Sequence, residues 1–311
     1  MMQDWWQATF PQGRQTLTIE DANGIPIRLA YGEKGNGQPL ILVHGIASWS
    51  YGWRGCIDEL AQRFRVICLD AKGHGFSDKP LYPDRVGHQI IELQRSIEQL
   101  CDEPAIIVAQ SLGALVTLGL AQEFPQLCDR LVLINVPIFA DRLPSWWMHG
   151  LAILPLTWVK VVDRSRIIKP LSPIVRALTG FFRREVVTDP NTITPEEVYW
   201  ITYPYIEMPN AIVKYAEDLQ ISLREIQAIA QPQPNLIRQI RDNLPTLTHP
   251  TLILWGEQDN WFPPQHGEKL HHHLPNAQFK TLPNCGHDAS GSCPQPVTQA
   301  ILHFLHPPIP E

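Results

Sequence analysis

Six short runs of the 311-residue chain are almost uninterruptedly apolar: residues 40–43, 65–69, 105–109, 131–135, 251–255 and, more weakly, 277–282. Runs of this length without alternation fit strands covered on both faces, the pattern of a parallel sheet. Ahead of them, residues 17–20 and 27–31 flank the turn-rich Asp21-Ala22-Asn23-Gly24 and predict an antiparallel hairpin at the sheet's opening edge. Segments with apolar positions at helical spacing, notably 86–100, 112–124 and 294–304, lie between the runs. The alternation predicts an α/β fold: a mostly parallel, twisted, doubly wound sheet flanked by helices.

Residues 137–244 break this alternation with many prolines, several helical patterns and no comparable strand. The expected organisation is a core in two parts, 1–136 and 245–311, with a largely helical cap or lid, 137–244, inserted between two strands. A hydrophobic content of 44% with 10 Trp is ample for a sizeable core. The net charge of −6 lacks the basic footprint that nucleic-acid binding requires, so no nucleic-acid partner is expected. The first 15 residues carry an early acid and no apolar run of signal-peptide length, which points to a cytoplasmic location. Six cysteines without C-x-x-C spacing fit reduced thiols better than a disulfide frame or a zinc site.

Three segments carry candidate chemistry. Ala109-Gln110-Ser111-Leu112-Gly113 follows an apolar run and opens a helical one, the setting of a sharp strand-to-helix turn that lifts a serine hydroxyl out of the sheet. The rival reading of Ser111 is a helix N-cap. Val43-His44-Gly45-Ile46 ends an earlier strand, so that the amides of Ile46 and Leu112, or of Ala47 if the loop runs longer, can serve as an oxyanion hole. Asp259 just past one late run and His287 after the last supply a carboxylate and a base; Glu257 and Asp141 are weaker alternatives for the acid. His44 reads as a loop-fixing hydrogen bonder. No metal site is expected, because consecutive His271, His272 and His273 point different ways on a helix.

Taken jointly, Val43-His44-Gly45, the segment from Asp70 to Asp78 (DAKGHGFSD), Gln110-Ser111-Leu112-Gly113, Gly256-Glu257-Gln258-Asp259 and Gly286-His287 resemble the α/β-hydrolase superfamily in order and approximate spacing. The resemblance covers nearly the whole chain outside the insertion. It implies the α/β-hydrolase fold and the chain order Ser, Asp, His for the three catalytic residues Ser111, Asp259 and His287. The Gly73-to-Pro80 segment is similar to that of epoxide hydrolases and haloalkane dehalogenases, which attack with an aspartate at the turn; serine at 111 implies the esterase-type branch instead. Ala109 departs from the usual glycine. Asp70 and His74 are implied to fix a loop.

The expected reaction is therefore cofactor-free cleavage of a small hydrophobic, lipid-like ester through an acyl-enzyme. Carbon–carbon hydrolysis or perhydrolase-like chemistry would use the same three residues, and a non-catalytic protein binding a hydrophobic ligand is the remaining alternative. Trp49, Trp53, Trp146 and Trp147 are candidate substrate contacts. Between 141 and 190, eight basic residues stand against four acids beside an apolar cluster, which suggests peripheral contact of the cap with a membrane surface.

Overall fold

The computed structural model describes residues 3–305. Its eight strands are β1 (Gln15–Glu20), β2 (Pro26–Lys34), β3 (Pro39–Val43), β4 (Arg65–Leu69), β5 (Ala105–Gln110), β6 (Cys128–Ile134), β7 (Thr251–Gly256) and β8 (Ala277–Leu282). They form one sheet in the order β1-β2-β4-β3-β5-β6-β7-β8. β1, β2 and β4 pair antiparallel, and every pairing from β4 through β3 to β8 is parallel. The predicted hairpin and all six apolar runs are thus strands of the α/β-hydrolase fold. β3 and β5 are buried almost throughout, which is why they read as continuous apolar runs.

The order places β3 directly beside β5, with Val43 opposite Ala109, so the loop after β3 and the turn after β5 emerge side by side. This is the point where the chain reverses its direction of winding, the place where open α/β sheets hold their ligands. Two apolar cores cover the two faces. One gathers Ile41, Ile107, Leu118 and Trp255; the other gathers Leu42, Val108, Ile301 and a group of aromatic rings.

Trp49 and Trp53 belong to that aromatic group, each about 1% exposed. Asp4 caps the helix Trp5–Thr9 by accepting from Trp6 N at 2.9 Å, and this helix lays Trp5 edge-on to Trp49 at 5.2 Å between ring centroids. Trp49 Nε1 donates to the carbonyl of Trp200 at 3.0 Å. These two tryptophans fill the core and are absent from the wall of the cavity beside Ser111, which corrects their assignment as substrate contacts.

Between β6 and β7 the chain is helical and contributes no strand. It includes Trp146–Ile153, Leu156–Ser165, Ser172–Phe182, Pro195–Glu207, Ala211–Ala228 and Leu236–Asp242. Cys285 and Cys293, eight residues apart with Cα atoms 6.0 Å apart, form a disulfide, which corrects the expectation of reduced thiols throughout; Cys56, Cys68, Cys101 and Cys128 are free. The turn after β8 doubles back and brings together two cysteines that no short spacing motif pairs. Among the described residues no helix is long and apolar enough to cross a membrane.

Candidate active site

Ser111 stands at the junction of β5 and the helix Leu112–Glu123 with φ 54° and ψ −124°, a strained conformation for a residue with a side chain. Its hydroxyl makes no cap bond to the helix, which removes the N-cap reading. Instead Oγ lies 3.0 Å from His287 Nε2. Close packing makes the turn possible: a Cβ on Gly113 would collide with the carbonyl oxygens of Val43 and His44, so only glycine lets the two chain segments touch here.

His287 Nδ1 lies 2.8 Å from Asp259 Oδ2, and the carboxylate can only accept, so Nδ1 carries the proton and Nε2 is left to accept from the serine. Asp259 is held in turn. Its Oδ1 accepts from the amides of Trp261 at 2.8 Å and Phe262 at 3.0 Å. The rings of these two residues flank the imidazole, with centroids 4.7 and 5.3 Å away. All three polar side chains are buried. Glu257 and Asp141, the alternatives for the acid, are solvent-exposed.

The N–H groups of Ile46 and Leu112 have no acceptor among the described residues. Both residues, with Ser111, border one cavity of about 1090 Å³, counting the part open to solvent. Its wall is mostly apolar, built from Leu115, Val116, Met148, Leu219, Ile240 and neighbouring side chains of the core and the helical segment. Trp146 and Trp147 are absent from this wall, a second correction: Trp146 is 75% exposed, and Trp147 packs on Phe182 at 5.6 Å. Trp146 points outward because the helix Trp146–Ile153 turns Met148 and Ala152 inward, whereas Trp147 is half-buried beside Tyr215, 6.4 Å away between ring centroids.

His44 donates from Nδ1 to the carbonyl of Gly45 at 2.8 Å and accepts from Ala71 N at 3.1 Å on Nε2. Burial, reinforced by the neighbouring His74, pushes its pKa down to about 3, so the ring is neutral and its tautomer fixed. Asp70 accepts from Ser50 N at 2.8 Å, Ser50 Oγ at 2.6 Å and Phe76 N at 2.8 Å. His74 Nε2 bonds Asp218 Oδ2 at 2.7 Å. All three residues fix loops around the site.

Asp84, His88 and Glu92 are spaced as metal ligands could be. Lys72 Nζ lies 2.6 Å from Asp84 and also pairs with Glu92, and Lys214 Nζ lies 2.5 Å from Asp84, so two ammonium groups already balance these acids. His271, His272 and His273 bond three different backbone carbonyls, those of Ala277, Glu268 and Lys269.

Sequence reasoning gave no role to several residues that brace this arrangement. Gln110, beside the serine, accepts from Ser290 N at 2.9 Å and donates to Asp288 Oδ1 at 3.3 Å. Asp288, next to His287, pairs at 2.5 Å with Arg183 from the helical segment, which also pairs with Glu197 at 2.6 Å. Burial opposes the charge on Asp288, but Arg183 outweighs it and holds the carboxyl below its ordinary range. Arg183 is therefore tied up inside the fold. A polar side chain adjoining each motif, Gln110 before Ser111 and Asp288 after His287, was the available signal.

Comparison with known proteins agrees with this fold. The family model described as the alpha/beta hydrolase fold matches residues 38–291. The chain is 27% identical over 289 residues to a cis-3-alkyl-4-alkyloxetan-2-one decarboxylase of Shewanella oneidensis, covering 89% of this chain and 85% of that protein. It is 24% identical over 299 residues to the 2-hydroxy-6-oxononadienedioate/2-hydroxy-6-oxononatrienedioate hydrolase of Comamonas testosteroni, covering 93% and 95%. Among solved structures, a thermophilic esterase from Thermogutta terrifontis superposes with a TM-score of 0.70 at 24% identity, covering 94% of this chain and 98% of that one.

Proposed function

This chain belongs to the alpha/beta hydrolase family, and from that premise we propose that it is a serine hydrolase cleaving a hydrophobic carboxylic ester, with Ser111 as nucleophile, His287 as base and Asp259 as the orienting carboxylate. The observation that carries the reading is the continuous relay from Asp259 through His287 to Ser111, 2.8 and 3.0 Å, at the edge of an apolar cavity. In the proposed reaction His287 Nε2 takes the Ser111 proton as Oγ attacks the ester carbonyl. The oxyanion so formed accepts from the amides of Ile46 and Leu112, each such donor contributing on the order of 3 kcal/mol. His287 returns the proton to the departing alcohol, leaving an acyl-enzyme. A water then repeats the cycle and releases the acid. The chemistry needs no cofactor, and residues 137–244 act as the cap over the cavity.

A second reading, hydrolysis of a carbon–carbon bond, draws support from the Comamonas relative, whose name specifies a dienedioate. A substrate with two carboxylates needs cationic partners. The arginines that border this cavity, Arg85 and Arg142, are solvent-exposed, and the rest of the wall is mostly apolar, so the ester reading is preferred. Assaying p-nitrophenyl esters of increasing acyl length beside a vinylogous diketone substrate tests the choice. The ester reading expects turnover of the esters with a chain-length preference and none in Ser111→Ala. Turnover of the diketone alone would overturn it.

A further inference from the structure

Of thirteen large apolar side chains exposed on the described residues, eleven lie between Trp146 and Phe181. They are not scattered. In the helix Leu156–Ser165 the buried residues are Val159 and Asp163, while Trp158, Val161 and Val162 face solvent at helical i, i+3, i+4 spacing. In the helix Ser172–Phe182 no residue is buried, and Ile174, Leu178 and Phe181 are exposed at i, i+4, i+7 spacing. A helix that folds against a core normally turns such a stripe inward. Here both stripes face outward, together with Trp146 at 75% exposure and Trp158 at 67%. Outward-facing apolar stripes of this kind mark a docking site.

The charge around it identifies the occupant. From 142 to 184 the chain carries eight basic residues and one acid, Asp163, in a protein of net charge −6. Asp163 is buried and accepts from the amides of Asn210 and Ile212, so it adds no negative charge to the surface. Several of the cations are engaged: Arg183 pairs with Asp288, Lys169 with Glu207 at 2.7 Å, and Arg166 bonds the carbonyls of Ile206 and Glu207. Arg164 and Arg184 are exposed and have no acidic partner among the described residues. A second copy of the chain would bring these positive charges against themselves in a two-fold contact.

We infer that the outward face of residues 146–184 docks on an anionic lipid bilayer, with the tryptophans at the headgroup level and the apolar stripes in the acyl boundary. Lys and Arg at the rim add attraction to the negative surface. The helix Trp146–Ile153 joins this face to the cavity, since it presents Trp146 to the outside and Met148 to the cavity wall. The docking itself does not depend on the reaction assigned to Ser111.

The test is flotation of the full chain with phosphatidylcholine vesicles, with and without phosphatidylglycerol, at low and high salt. The expected result is strong flotation with phosphatidylglycerol at low salt, weakening as salt rises, and identical behaviour of Ser111→Ala. Trp158→Asp/Val161→Asp alters only exposed positions and abolishes flotation; Arg164→Glu/Arg184→Glu weakens partition at least about fivefold per charge. Either variant pair suffices if the other misfolds by circular dichroism. Absence of wild-type flotation at low salt overturns the inference, as does unchanged flotation of a folded variant. A dimer by light scattering that Trp158→Asp/Val161→Asp dissociates, without lipid binding, assigns the face to self-association and overturns it too.

Discussion

Asn135 donates from Nδ2 to the carbonyl of His287 at 2.7 Å and accepts on Oδ1 from Gly256 N at 2.9 Å. One side chain at the end of β6 thereby ties the loop that carries the imidazole to the end of the strand that leads to Asp259. Removing it in Asn135→Ala leaves the buried Gly256 amide without an acceptor, at a cost of about 1–3 kcal/mol. The expected outcome is a lower Tm together with a fall of about tenfold or more in kcat and little change in KM, because the reacting geometry loosens while the cavity does not. Melts and steady-state kinetics on one preparation check both.

Asp259→Asn preserves an oxygen for the Trp261 and Phe262 amides but can no longer hold the proton on His287 Nδ1. On the proposed mechanism kcat falls by up to about 10⁴, the loss seen when this tautomer control is removed from a serine triad. Stability changes little by comparison. Ester hydrolysis and thermal unfolding of the variant separate the two effects.

His44 makes the fold sensitive to acid. Its pKa is pushed down from 6.5 to about 3 in the native state, so the unfolded chain takes up a proton below pH 6.5 that the native chain refuses. The stability His44 contributes is complete above pH 6.5 and is lost as pH falls from there toward 3. Between pH 7 and pH 5 the loss amounts to about 2 kcal/mol. His44→Gln lacks the titrating group, so the gap in unfolding free energy between those two pH values should shrink by that amount. An unchanged gap would show that His44 does not control it.

Val116 borders the cavity on the helix that follows Ser111. Val116→Phe removes space from the apolar wall. Turnover of long-chain p-nitrophenyl esters should fall about tenfold relative to acetate, with kcat/KM for acetate preserved, since each methylene excluded from an apolar pocket alters discrimination by roughly 1–3 kcal/mol.

Much of the architecture was legible because β3 through β7 are shielded on both faces and so appear as apolar runs. The candidates Ser111 and Asp259 stood out for a related reason, since each follows one of these strands, whereas His287 follows the half-exposed β8 and stood out as a histidine after glycine in the loop beyond the last strand. Trp49 and Trp53 were misplaced because an aromatic residue near a glycine turn looks the same whether it faces a ligand or a core. What decides their place is Trp5 and Trp200, rings remote in sequence. Asn135 and Arg183 were missed likewise, since their partners lie 152 and 105 residues away and no local pattern announces them.

The central claim, that Ser111 is an activated nucleophile, is tested most directly by intact-mass spectrometry after brief treatment with a fluorophosphonate. The account predicts a single adduct that peptide mapping places on Ser111, absent from Ser111→Ala and strongly slowed in Asp259→Asn. An unmodified wild-type chain, or an adduct on another residue that persists in Ser111→Ala, would contradict it.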